Sequence, residues 1–182
     1  MRYYFYKCSI DDIKKQRAFA RCLFKCALEK ETGITGVDYK KDERGKPYIP
    51  IANKNLHMSI SHCKAGIACI ISGFPVGIDI EEISRMNIKT ARRICTTGEL
   101  ELLEKAEDKK DLLCRFWVLK EAYSKLTGQG ISAGFGGIDT IEGEKSGKLY
   151  AKRKDGVYIG IAAKNVIDFS SISCYNMVIN NK

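Results

Sequence analysis

The sequence predicts an α+β fold, and three observations carry that expectation. Apolar residues alternate with polar or small ones over 56–61 and 76–81, the period of strands. Two longer stretches, 13–30 and 112–126, instead place their apolar residues at helical spacing. The two kinds of segment intermingle along 182 residues with no repeat, low-complexity run or linker, which suits one compact mixed chain.

In order, the aromatic-rich stretch 3–8 opens the chain as a strand. Asp11 or Asp12 caps a helix over 13–30 that turns Ile13, Phe19, Ala20, Leu23, Cys26 and Ala27 inward and stops at Gly33. Arg17 lies off that apolar stripe, free to reach a ligand or water. Gly45, Lys46 and Pro47 form a turn whose proline fixes the exit into an extended 48–51. Leu56, Met58 and Ile60 then alternate with His57, Ser59 and Ser61, so a strand delivers Ser61 and His62 to its end. A second apolar strand, 66–72, turns at Gly73 and Pro75 into a third, where Val76, Ile78 and Ile80 alternate with Gly77, Asp79 and Glu81.

After Ile83 the chain becomes helical and basic, with Arg85, Lys89, Arg92 and Arg93. Thr96 and Glu99 have the spacing of a capping box, opening a helix that carries Leu100, Leu102 and Leu103. The long helix through FWVLKEAYSKLTG gathers Leu112, Phe116, Leu119, Ala122, Tyr123 and Leu126 on an apolar side, with Trp117, Glu121, Ser124 and Lys125 on the opposite arc. Gly128 and Gly130 break it, and the remainder, with apolar alternation near 157–163 and at 172–179, reads as strands and turns.

Composition bounds the function. With 45% hydrophobic and 29% charged residues the chain is ordinary globular material. No apolar run approaches a bilayer span and the N-terminus lacks a signal-peptide pattern, so a cytoplasmic protein without membrane contact is expected. The eight cysteines have no C-x-x-C spacing and read as reduced, core-type residues; His57, His62 and Cys63 are too few for structural zinc. The formal charge of +9 favours an acidic partner. The basic residues form no tight run with interleaved aromatics, so an acidic protein or a phosphate-rich cofactor fits at least as well as nucleic acid.

The chemistry concentrates in two places. In GIDIEE a strand period puts Asp79 and Glu81 on one face, and Glu121 from the long helix adds a third oxygen donor, a set that suits Mg²⁺. Together with Lys125, His62, Lys46 and Arg17 they suggest a metal and phosphate site; the bland alternative is a solvated strand face and an i,i+4 surface pair of Glu121 with Lys125.

GIDIEE followed by FWVLKEAYSK resembles the signature pair of the 4′-phosphopantetheinyl transferases. GKPYIP, the LHMSISH strand end, QRAFAR and GQGIS resemble further motifs of the Sfp-type branch, in the same order. The resemblance implies transfer of the phosphopantetheine arm of coenzyme A to a serine of an acidic acyl or peptidyl carrier protein, releasing 3′,5′-ADP. It implies two similar α+β lobes, 1–75 and 76–182, in a monomer, with coenzyme A between them and the metal site in the second lobe. It also implies Mg²⁺ ligands at Asp79, Glu81 and Glu121, and a pyrophosphate contact at Lys125. The adenine-side turn would be Gly45, Lys46 and Pro47, the 3′-phosphate contacts Arg17, Ser61 and His62, and the general base Glu99, a role that competes with its capping box. Lys120 is expected to support the fold or a phosphate. Two other classes stand beside the enzyme: a homologue that docks carriers without turnover, and a basic nucleic-acid-binding module.

Overall fold

A computed structural model describes residues 1–52, 55–129, 134–168 and 172–176. The chain opens with strand β1 (Arg2–Lys7) and helix α1 (Ile13–Thr32), whose first turn is capped by Asp12 accepting from the Lys14 and Lys15 amides. Strands β2 (Lys40–Lys41), β3 (Pro47–Tyr48), β4 (His57–Cys63), β5 (Gly66–Ser72) and β6 (Val76–Glu82) follow. Two 3-10 turns, Ile83–Arg85 and Ile88–Thr90, lead to helices α2 (Ala91–Ile94), α3 (Thr97–Lys105), α4 (Lys109–Thr127) and α5 (Thr140–Lys145). Strands β7 (Leu149–Lys154), β8 (Val157–Ala163) and β9 (Ser173–Asn176) complete the described elements.

The larger sheet has the order β4-β5-β1-β9, antiparallel except for the parallel pair β1 and β9; the second is the antiparallel β6-β8-β7. Strand alternation sorts the side chains between layers. Tyr4, Ile67 and Cys69 pack with Leu23, Phe24 and Leu28 of α1, whereas Tyr3, Phe5, Ala68 and Ile70 meet Ile78, Ile80, Ile159 and Ile161 of the second sheet. On the outer face of that sheet, Leu119 and Ala122 of α4 cover Leu149 and Ala162. The layers therefore run α1, sheet, sheet, α4, and β5 is buried along its whole length, as its unbroken apolar sequence requires.

Several expectations change. Ile13 is 47% exposed at the start of α1, and Gln16 takes an inward position because its amide bonds the Ile10 carbonyl and faces His62. Tyr123 is exposed, since α4 packs on the sheet through Leu119 and Ala122. The basic stretch after Ile83 forms two short turns and a four-residue helix, not one helix. Strand β2 and helix α5 are additions to the expected elements, and β9 pairs with β1, so the first sheet takes a strand from beyond the expected division at residue 75. Of the cysteines, all free, Cys63, Cys69, Cys95 and Cys114 are buried, whereas Cys22 is exposed. Within GQGIS, residues 130–132 lie outside the described residues.

Candidate active site

The site forms along the side where β4 and β6, the edge strands of the two packed sheets, run beside each other. The Ser59 hydroxyl, on β4, accepts the Ile78 N–H of β6 at 3.0 Å, joining the two strands by a side chain. One face of β6 carries Gly77 and Asp79, and Asp79 stands opposite Gly160 of β8. A Cβ at Gly77 would lie 1.9 Å from the Ala122 carbonyl oxygen, and one at Gly160 would lie 2.4 Å from that of Val118. The two glycines thus let the α4 backbone rest on the sheet, as a residue with any side chain could not. That close approach brings Glu121 and Lys125, one turn apart on α4, against Asp79.

Asp79 is buried, and its Oδ1 accepts from both Lys125 Nζ and Ser61 Oγ, each at 2.7 Å. Burial, then the negative charge of Asp79, pushes the Glu121 carboxyl up to about 7, against the opposing pull of Lys125. Glu121 Oε1 is buried without a hydrogen-bond partner. An orphaned carboxylate oxygen beside a second carboxylate is a costly arrangement that a hard cation would relieve, and oxygen donors are what Mg²⁺ takes. Asp79 and Glu121 therefore fit the ion. Glu81 is near enough for its charge to act on Glu121, but its Oε1 already accepts from the Glu82 amide at 2.9 Å and from Arg85 at 3.3 Å. Among the described residues, the group of three whose donor atoms lie within 4.8 Å of one another is Cys63, Glu81 and Glu82, not the expected Asp79, Glu81 and Glu121.

Beside these carboxylates a cleft of about 660 Å³ opens between α1, β4, the 42–47 turn and α4. Arg17, Gly45, Lys46, Pro47, His62, Glu121 and Lys125 all line it. Gly45 adopts φ +80°, which lets the turn close, and Lys46 Nζ donates to the Leu126 carbonyl at 2.8 Å, tying the turn to the end of α4. His62 Nδ1 lies 2.8 Å from Gln16 Oε1, and its pKa is lowered by burial and then by Lys125, Arg17 and Lys41. A histidine whose charged form is disfavoured first by burial and then by surrounding cations marks a site prepared for anions.

Ser61 does not line the cleft; it is buried and spends its hydroxyl proton on Asp79, a correction to its expected phosphate contact. Sequence reasoning missed Arg21, Lys41 and Arg44, which also line the cleft. Arg21 follows Arg17 by four residues and shares its helix face, a detectable signal; Lys41 and Arg44 come in only through the fold of the turn.

A second cavity, about 650 Å³, is lined by Met86, Ile94, Trp117 and Phe135 with Glu81, Arg85 and Arg93 at its polar side. The Trp117 and Phe135 rings meet edge to face at 5.3 Å. Glu81 lies on the second cavity and Glu121 on the first, so the acidic residues stand between a basic cleft and an apolar one.

Glu99 is not brought to either cavity. It is fully buried: Oε2 accepts the Thr96 amide at 2.7 Å and pairs with Lys120 Nζ at 2.8 Å, while Oε1 accepts from the Thr140 amide and hydroxyl at 3.0 and 2.6 Å. The capping box has formed, and the expected general base is a structural carboxylate here because its oxygens are fully engaged. Lys120, also fully buried, donates to the Phe135 and Ile138 carbonyls and so holds the 135–138 loop on α4, as expected for a fold-supporting lysine.

The profile of the 4′-phosphopantetheinyl transferase superfamily matches residues 75–171. A 4′-phosphopantetheinyl transferase of Bacillus subtilis is 35% identical over 114 residues, covering 60% of this chain and 50% of that protein. Sfp of Bacillus subtilis strain 168 is 33% identical over 98 residues, 53% of this chain and 43% of its own length. HetI of Nostoc sp. PCC 7120 is 32% identical over 123 residues, 64% of this chain and 51% of that protein. The match thus spans about half the length of these relatives. Among solved structures, the holo-[acyl-carrier-protein] synthase of Neisseria meningitidis is 22% identical with a TM-score of 0.38, covering 50% of this chain and 98% of that one.

Proposed function

Since the chain belongs to the 4′-phosphopantetheinyl transferase superfamily, we propose that it transfers the 4′-phosphopantetheine arm of coenzyme A to a serine of an acidic acyl or peptidyl carrier protein, releasing 3′,5′-ADP. The observation that carries this reading is the order of the site: a cation-lined cleft, then buried carboxylates, then an apolar cavity. A molecule with a multiply phosphorylated nucleotide at one end, a pyrophosphate in its middle and a long neutral arm at the other matches that order.

In this assignment Arg17, Arg21, Lys41, Arg44 and His62 receive the nucleotide phosphates, and the turn Gly45, Lys46 and Pro47 forms the wall beside the base. Asp79 and Glu121 would hold Mg²⁺, which would supply neutralisation of the charge that develops on the pyrophosphate. Lys125, on the cleft beside them, offsets charge on the departing 3′,5′-ADP. With Glu99 closed off, Glu81 is the carboxylate that faces the second cavity, and burial, the largest effect on it, raises its pKa towards that of a useful base. It accepts the serine proton while the serine oxygen forms its bond to phosphorus and the bond to the ADP oxygen breaks. Arg85 and Arg93 line that cavity, Lys89 and Arg92 belong to the same short turns and helix, and together they attract the acidic carrier.

The test is incubation with coenzyme A, Mg²⁺ and candidate apo-carriers, read by intact mass. One added phosphopantetheine per carrier is expected, lost with chelator and lost in Asp79→Ala or Glu121→Ala, both still folded. Coenzyme A should also raise the melting temperature, a shift that a carrier-docking or nucleic-acid-binding module without this site would not give.

A further inference from the structure

The ammonium of Lys125 and a metal ion both have claims on one atom. Oδ1 of Asp79 accepts from Lys125 Nζ and from Ser61 Oγ, both at 2.7 Å. Asp79 is nearly buried, its side chain 8% exposed against 30% for Lys125, so only the lysine of this ion pair has room to leave. Next to them Glu121 Oε1 is buried with no partner. The geometry points to Lys125 as an internal stand-in for the cation: with no ion bound it neutralises Asp79, and an ion entering between Asp79 and Glu121 must displace it.

This inference rests on the metal and phosphate reading above and adds an order of events to it. Like charges cannot share a single carboxylate oxygen in a poorly hydrated site without mutual repulsion that far exceeds its value in water. The displaced Nζ stays on a flexible stem at the wall of the basic cleft, where a pyrophosphate is the natural next partner. Metal and phosphate ligand therefore bind cooperatively: the ion releases the lysine, and the phosphate rewards its release. Ser61 is the fixed element, since its buried hydroxyl holds the Asp79 carboxylate in one orientation whichever cation occupies it.

The experiment measures Mn²⁺ affinity by electron paramagnetic resonance of the free ion at pH 8, without and with coenzyme A, for the wild type, Lys125→Met and Lys125→Arg. Removing the resident charge should tighten Mn²⁺ binding to the protein alone by about fivefold or more in Lys125→Met, while Lys125→Arg, which keeps a cation on Asp79, should stay near the wild type. Coenzyme A should tighten Mn²⁺ binding to the wild type and do so much less in Lys125→Met. Unchanged or weaker Mn²⁺ binding in a folded Lys125→Met overturns the stand-in role alone. Failure of every protein to bind Mn²⁺ overturns both this inference and the metal site it rests on.

Discussion

Gly77→Ala tests whether the site depends on how closely α4 lies on β6. The added methyl would sit 1.9 Å from the Ala122 carbonyl oxygen and 2.8 Å from the Leu126 nitrogen, both backbone atoms that cannot rotate away. Restoring the 3.4 Å at which ordinary contact begins requires α4 to retreat by about 1.5 Å. Overpacking of this kind costs about 1–3 kcal/mol, and a rigid helix backbone as the opposing surface puts the case near the upper end. At about 2–4 °C per kcal/mol for a chain of this size, the melting temperature should fall by roughly 6–12 °C. The same retreat pulls Glu121 and Lys125 from Asp79, and a misplacement of about 1 Å can cost on the order of 10²-fold in rate. Thermal melting and carrier loading read by intact mass measure the two effects. Gly98→Ala in α3 is the control, because its methyl would meet nothing closer than Ile141 Cδ1 at 3.9 Å. A Gly77→Ala protein with wild-type melting temperature and wild-type loading would refute the role given to this contact.

Three other outcomes are expected. Glu99→Gln should lower stability by about 3–5 kcal/mol, because it leaves the Lys120 ammonium buried without its counter-charge; adding Lys120→Met should recover part of the loss in chemical denaturation, whereas a general base without a structural role would lose rate alone. Glu121 ionises near 4.5 when unfolded and near 7 in the ligand-free fold, so its favourable contribution is complete below the first value and is lost as pH rises to the second. Melting curves in chelator should therefore show stability falling from about pH 4.5 to 7, less steeply in Glu121→Gln. Raised salt should slow carrier loading, and Lys89→Glu should weaken carrier use more than coenzyme A binding in steady-state kinetics; equal effects on both would contradict a carrier-facing basic surface.

Much of this protein was determined by local pattern. The capping residues Asp12 and Thr96, the glycine stop at Gly33, the alternation through β4 and β6 and the apolar run of β5 each act within a few residues, so the elements they specify are legible without a fold. The family, too, is carried by short motifs, and Arg17, His62, Glu121 and Lys125 line one cleft with Asp79 bonded to Lys125 beside it. What the chain could not declare in one dimension is where a side chain points once layers have packed. Ser61 and Glu99 have the chemistry of ligand-binding and basic residues, but packing turns one hydroxyl onto Asp79 and seals the other carboxylate against Lys120 and Thr140. Arg44 and Lys41 gain their place from a turn closed by Lys46 across the cleft, and β9 finds β1 far back in the sequence. Gly77 and Gly160 are inconspicuous in sequence and decisive in the fold, because the space they leave is filled by backbone from a helix whose position no local pattern encodes.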